Sequence, residues 1–378
     1  MLNKKKIIFL TSTRADYGKL KTLIKIFEKS KNYQTKIFVT GMHNMKLYGN
    51  TISEIRKDGV KNIYVFNNQN KNSSMTDILM ETISGFKNYI RKFKPDLLFV
   101  HGDRVEPIAC ALVSVLSNIK VAHIEGGEVS GTVDEILRHA ISKLSQYHFV
   151  SNHVSKKRLL QMGENKKNIY VVGSPDIDII NQNDLPKLEE SKLKYDLDFK
   201  DYSISILHPV TTEPSKKFKK NVDSYFESLV ESKLNYIIIY PNNDYGNDQI
   251  FKNIKKYRNN KKFKILPSIK FEHYLTFLKN SKFIIGNSSS GIIEAPYFGV
   301  PTINIGNRQS NRLKEKFIIN SSFSKKKIIA SIRLSKNLRI KKRNLFGSGN
   351  SNKKILKVLE SKNFWSNTVQ KNFIDFLN

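Results

Sequence analysis

Two short apolar runs, 97–100 (LLFV) and 120–124 (KVAHI), each stop abruptly at charged residues. The first is followed by His101-Gly102-Asp103-Arg104, the second by Glu125-Gly126-Gly127-Glu128. Buried parallel strands read as continuous apolar runs, and in open α/β sheets ligands sit beyond the carboxyl ends of the strands. The pattern therefore aims Asp103 and Glu125 at one crevice from neighbouring strands. A glycine-rich loop follows, and Asp134, Arg138 and His139 fall on the predicted helix after it. Carboxylates, an arginine and histidines grouped in this way suit acid/base chemistry on a polar, anionic substrate.

The same alternation runs along the chain. Apolar runs at 7–11, 35–40, 62–66, 97–100, 120–124, 147–150 and 169–173 read as strands. Between them, helices are expected at 16–29, 75–93, 106–116, 133–144 and 153–162. The clearest is 75–93, where Ile78, Leu79, Ile83, Phe86 and Ile90 recur at helical spacing. A second series has strands at 203–208, 236–241, 263–267, 283–287 and 302–306, with helices at 273–280 and 291–298. Alternating strands and helices predict doubly wound parallel sheets with right-handed crossovers. The 378 residues exceed what one core usually supports. The expected organisation is two similar Rossmann-like domains, residues 1–180 and 203–350, with a polar linker at 181–202 and the active site in the cleft between them. The Lys/Asn-rich stretch after 309 resists reading. Apolar periodicities at 355–360 and 373–378, around Trp365, predict terminal helices within 351–378, with the first domain as their docking partner.

Lys and Arg number 65 against 33 Asp and Glu, a net charge of +32. The basic residues are scattered and often sit beside Asn in predicted turns. No RNA-binding aromatic motif, zinc finger or basic heptad helix accompanies them, so nucleic acid is not the expected partner. The balance favours a small anionic substrate such as a nucleotide. No apolar run reaches 18 residues, so no membrane span is expected. The basic N-terminus followed by IIFL is too short for a signal-peptide core and reads as a first strand. One cysteine, Cys110, excludes an intrachain disulfide and a cysteine metal site and fits a cytoplasmic protein. GxGxxG, HExxH and GxSxG are absent, which disfavours the common dinucleotide fold, a zincin site and an α/β-hydrolase.

Two loops suit phosphate. TSTRADYG (11–18) follows the first strand and opens a helix, whose free N–H groups beside Arg14 would hold an anion; plain capping by Ser12 or Thr13 is the competing reading. GNSSSGIIEAP (286–296) repeats the arrangement in the second domain. Its small residues, Ser288, Ser289, Ser290 and Gly291, let a diphosphate approach the backbone, and Glu294 is placed to take both ribose hydroxyls. His208 ends a strand and faces the cleft, where it could bind phosphate or help a leaving group depart. His43 and His101 share that ambiguity, while His123 reads as packed. Asn242, Asn243 and Asp244 (YPNND) serve equally well as turn formers.

Together these motifs resemble the hydrolysing UDP-N-acetylglucosamine 2-epimerases of bacterial sialic acid biosynthesis. The resemblance rests on TSTRADYGKLK, VTGMH, HGDR, HIEGGEVSGTVDE, RHAISKLS, VGSPDID, HPVTTE, YPNND and GNSSSGIIEAPYFGVPTINIGNRQSNR, and so spans nearly the whole chain. It implies a GT-B-like fold and a two-stage reaction: anti elimination of UDP to 2-acetamidoglucal, then hydration to N-acetylmannosamine. By motif matching, Asp103, Glu125 and Asp134 are the catalytic carboxylates, with His208 at the leaving group. Arg14, His43, Arg104, Arg138, His139, Asn243, Ser288, Ser289, Ser290, Gly291, Glu294 and Arg308 match substrate and UDP contacts. The family uses neither metal nor nicotinamide and forms homo-oligomers. Its non-hydrolysing branch tends to carry HVEAG and a PEE-type segment; HIEGGE and TVDE stand here instead and favour hydrolysis. The alternatives are a hydrolysing 2-epimerase of UDP- or GDP-linked diacetylbacillosamine and, more remotely, a GT-B glycosyltransferase or a non-catalytic binding protein.

Overall fold

The computed structural model describes residues 4–181, 185–313, 315–336, 338 and 340–375. The chain forms two compact units. The first takes the chain up to Glu128, resumes at Asp134 through helix Pro175–Ile180, and takes it up again from Phe346. The second takes Val129–Val133 and the stretch from helix Leu188–Tyr195 to Leu345.

In the first unit seven strands, β1 (Lys5–Thr11), β2 (Tyr33–Val39), β3 (Ile63–Val65), β4 (Leu97–His101), β5 (Lys120–Ile124), β6 (Tyr147–Val150) and β7 (Ile169–Val171), lie in the order 3-2-1-4-5-6-7. In the second, β8 (Ser203–Ile206), β9 (Tyr236–Ile239), β10 (Phe263–Leu266), β11 (Ile284–Gly286), β12 (Thr302–Ile305) and β13 (Ile318–Ser321) lie in the order 10-9-8-11-12-13. Every neighbouring pair is parallel. Both orders are Rossmann-like. They reverse between β1 and β4 and between β8 and β11, where a crevice opens beyond the strand ends.

The continuous apolar runs follow from burial on both faces. Ile7 and Phe9 of β1 join Leu20 and Ile24 of helix Arg14–Lys29 in one core. Ile8 and Leu10 point the other way, into a core with Phe86 and Ile90 of helix Met75–Phe93. Successive strand residues alternate faces, so a strand covered on both sides shows no polar alternation.

The chain's return to the first unit has a specific anchor. Asp178 accepts from the Ser351 and Asn352 amides at 2.7 and 2.8 Å and from the Ser351 hydroxyl at 2.8 Å, capping helix Ser351–Leu359. Ile355, Leu359 and Phe364 then enter the core of that unit, with the Phe364 ring stacked on Tyr147 at 3.9 Å.

Two expectations need correction. The helix expected at 291–298 is instead a 3-10 turn, Ser289–Gly291, followed by a four-residue helix, Ala295–Phe298, with Pro296 removing a donor at its start. The periodicity at 373–378 is not helical where described: residues 371–375 are irregular and Phe373 is 85% exposed. The stretch at 181–202 contains a helix, Leu188–Tyr195. The unread region after 309 adds β13 and helix Lys325–Lys336, which buries only Ile328 and Ile332 among its apolar residues. Among the described residues no helix is long and apolar enough to cross a membrane.

Candidate active site

In the first unit the sheet delivers Asp103 and Glu125 just past the ends of the paired strands β4 and β5. Glu125 holds a positive φ of +66°, a left-handed conformation unusual for a residue with a side chain and typical of functional positions. Its amide donates to the Phe149 carbonyl at 3.1 Å, which pins the turn. The carboxylate is buried. Ser174 donates to its Oε1 at 2.7 Å, His101 Nε2 lies 3.3 Å from Oε2, and Lys19 Nζ stands 3.9 Å away. Lys19 also pairs with the fully buried Asp176 at 2.9 Å.

Asp103 meets Arg138, which is 2% exposed and also donates to the Glu128 carbonyl at 3.2 Å. Arg138 and Asp134 lie on helix Val133–Leu144, with Asp134 in its first turn, where the helix dipole favours an anion. His139 pairs along its own helix with Glu135 at 3.5 Å. Arg104 N-caps helix Val105–Leu116 and its Nε lies 3.5 Å from Glu106.

The loop after β1 differs from the expectation of free amides. Thr13 caps helix Arg14–Lys29 in a capping box with Asp16, whose carboxylate accepts from the Ser12 and Thr13 amides at 2.9 and 3.1 Å. These donors are thus satisfied within the chain. Arg14 forms an ion pair with Glu54. His43 is fully buried with its ring nitrogens against Thr11 (2.9 Å) and Thr51 (2.7 Å). Burial lowers it to about 4, against the opposing pull of Asp16. His123 is packed as read: its ring meets the Gly102 carbonyl at 2.8 Å and Ser142 at 3.0 Å.

In the second unit Asn287, fully buried after β11, organises the switch point between β8 and β11. It exchanges two hydrogen bonds with the His208 backbone, at 2.7 and 2.9 Å. Its carbonyl accepts from Arg308 at 3.3 Å and Gln309 at 3.0 Å. His208 lies just beyond β8, and its Nδ1 accepts the Asn242 amide at 3.1 Å. That bond puts the ring proton of neutral His208 on Nε2. Asn243 occupies the same turn, between Asn242 and the buried Asp244. Ser288 caps the 3-10 turn, the Ser290 hydroxyl bonds Tyr274, and the Gly291 carbonyl accepts from Thr302 at 2.6 Å. Glu294 is 2% exposed, and its Oε2 has no hydrogen-bond partner within the protein. A buried unpaired acceptor is costly, and it suits a ligand hydroxyl. Gly131 of the glycine-rich loop donates to the Arg308 carbonyl at 2.9 Å. A Cβ there would lie 1.9 Å from the Asn307 carbonyl oxygen, so only glycine fits.

Lys19, Ser174, Asp176, Asn287 and Tyr274 carried no role in the sequence reading, although Lys19 and Asn287 lie within TSTRADYGKLK and GNSSSGIIEAP. Ser174 and Asp176 sat within a noted motif, SPDID, but nothing local ties a serine after β7 to a carboxylate after β5. Among the described residues no group of three or more His, Cys, Asp or Glu is arranged to hold a metal ion.

Comparison with known proteins gives consistent results. The profile of the family described as UDP-N-acetylglucosamine 2-epimerase matches residues 25–360. A UDP-N-acetylglucosamine 2-epimerase of Neisseria meningitidis is 43% identical over 98% of this chain and 99% of its own. A UDP-N,N'-diacetylbacillosamine 2-epimerase (hydrolyzing) of Legionella pneumophila is 36% identical over 94% and 96%. The crystal structure of a UDP-GlcNAc 2-epimerase from Neisseria meningitidis, bound to UDP-GlcNAc, superposes with a TM-score of 0.77 at 21% identity, covering 94% of this chain and 99% of that one. That likeness establishes the α/β, GT-B-like fold.

Proposed function

The chain belongs to the UDP-N-acetylglucosamine 2-epimerase family, and from that premise we propose that it is a hydrolysing member, converting UDP-GlcNAc and water to N-acetylmannosamine and UDP for sialic acid biosynthesis. The observation that carries the reading is the pairing of both strand-end carboxylates with cations, Asp103 with Arg138 and Glu125 with Lys19. A nearby cation favours the ionised carboxylate, and ionised carboxylates are what this chemistry needs. The C2 hydrogen is not adjacent to a carbonyl, so C1–O cleavage must run ahead and leave oxocarbenium character. Asp103 and Glu125 stabilise that cation, and one of them takes the C2 proton.

UDP departs with the C1–O electron pair. The Nε2 proton of His208, Arg308 and the hydroxyls of Ser288 and Ser289 meet its diphosphate, and Glu294 Oε2 accepts from the ribose. Asp134 then serves hydration of 2-acetamidoglucal, adding water across the double bond with inverted configuration at C2. Arg14 exchanges Glu54 for substrate phosphate. His43 holds Thr11 and Thr51. Hydrolysis is supported by HIEGGE and TVDE and by the 36% identical relative whose name carries that activity. The lone, buried cysteine suits a cytoplasmic setting.

The second reading, a diacetylbacillosamine substrate, is favoured by the same relative. Steady-state kinetics with both UDP-sugars separate the two. We expect kcat/KM for UDP-GlcNAc to exceed that for UDP-N,N'-diacetylbacillosamine by about tenfold or more, the scale of one pocket contact. The opposite order would move the enzyme to the second substrate.

A further inference from the structure

After its last helix, Lys362–Ser366, the chain runs as an irregular strap at the amino-terminal ends of the first sheet's strands. Lys120 Nζ of β5 donates to the Trp365 carbonyl at 2.8 Å. Gln146, which precedes β6, donates to the Val369 carbonyl at 3.0 Å. Gln146 is itself buried, and its side-chain oxygen accepts from the Val121 amide of β5 at 2.8 Å. That last helix therefore meets the start of the strand that leads to Glu125, and the strap reaches the same strand through Gln146.

It then places Lys371 at the carboxyl end of helix Val133–Leu144. The last carbonyls of a helix lack partners within it, and the dipole there favours a cation. Lys371 Nζ donates to the carbonyls of Ser142, Lys143 and Ser145 at 3.2, 2.9 and 2.7 Å and to Glu164 Oε2. Glu164 is 2% exposed. It also meets Lys143 at 2.9 Å and His148 Nε2 at 2.9 Å. One buried carboxylate thus joins the strap's cation, the last turn of the helix and β6. Burial opposes its charge, yet His148 and Lys371 hold the carboxyl down at about 2.

We infer that Lys371 is a positioning residue for the reaction, fixing from its carboxyl end the helix that presents Asp134 and Arg138. The inference rests on the proposed roles of those two residues. Twelve residues of α-helix form a rod about 18 Å long, so freedom at Leu144 becomes displacement at Asp134. A misplacement of about 1 Å costs on the order of a hundredfold in rate.

The test compares the full chain with Lys371→Met, which keeps the apolar stem and removes the donors, and with Lys371→Arg, which restores a cation. With UDP-GlcNAc, kcat of Lys371→Met is expected to fall about 10- to 100-fold. KM should stay within about twofold, and Lys371→Arg should recover most of the rate. Amide hydrogen exchange should quicken in 133–144 and stay unchanged in helix Arg14–Lys29 of the same unit. An unchanged kcat, unchanged exchange in 133–144, or faster exchange throughout the unit would overturn the inference. If the unmodified protein is inert on UDP-GlcNAc, the proposed function fails instead, and the exchange pattern still decides whether Lys371 holds the helix.

Discussion

Ser174 donates its hydroxyl hydrogen to Glu125 Oε1 at 2.7 Å, and Glu125 accepts it from a left-handed backbone position at the end of β5. The bond fixes the rotamer of the carboxylate. Hydrogen bonds to charged groups contribute about 1.5–3 kcal/mol. Ser174→Ala is therefore expected to lower kcat by about tenfold or more while leaving KM for UDP-GlcNAc little changed, as steady-state kinetics would show.

Asp103 and Arg138 make a second such pair, but here the cation is the more buried partner. Asp103→Asn removes the charge from the carboxylate proposed to react and leaves Arg138 without its anion. Turnover should fall by roughly 10²–10⁴, and the protein should lose stability because the buried Arg138 loses its partner. Urea titration beside the kinetic assay checks both.

Glu294 predicts the opposite coupling. Its Oε2 is buried without a protein partner, so the carboxylate is a burden to the free protein, one that the proposed ribose contact would relieve. Glu294→Gln should leave the unliganded Tm unchanged or higher while weakening UDP binding by about 10- to 100-fold. Calorimetric titration with UDP and a thermal melt without it measure the two sides.

Much of this was legible in the sequence, for identifiable reasons. The strands whose residues are buried on both faces, such as 97–100 and 120–124, announced themselves as apolar runs, and the polar residues beyond them marked the crevice. The loop 286–296 was recognisable by its small residues, though Pro296 breaks the helix expected there. What stayed hidden depends on contacts distant in sequence. Ser174 reaches Glu125 across 49 positions, and Asn287 meets His208 across 79. Helix Lys325–Lys336 was missed because its two buried isoleucines are outnumbered by lysines. At the loop after β1 the sequence favoured phosphate binding beside Arg14 over capping by Ser12 or Thr13, and the geometry shows Thr13 capping the helix with Asp16.

The buried histidines give a pH dependence of definite sign. Burial lowers His43 to about 4 and His123 to about 3, from 6.5 in the unfolded chain. Between these values the unfolded state binds more protons, so stability rises with pH. The contribution is complete above pH 6.5 and is lost as pH falls toward 4 and 3. From pH 7 to pH 5 each residue should cost about 2 kcal/mol. Urea midpoints at the two pH values should show the drop, and His43→Gln should reduce it; an equal drop in the variant would contradict the assignment.

The most direct test of the central claim is proton NMR of the purified protein with UDP-GlcNAc in D2O, without added metal or nicotinamide. UDP should appear together with free N-acetylmannosamine carrying deuterium at C2, and Asp103→Asn should form them roughly 10²–10⁴ times more slowly. Formation of UDP-N-acetylmannosamine with the sugar still attached to UDP, or release of a sugar that keeps its C2 proton, would contradict it.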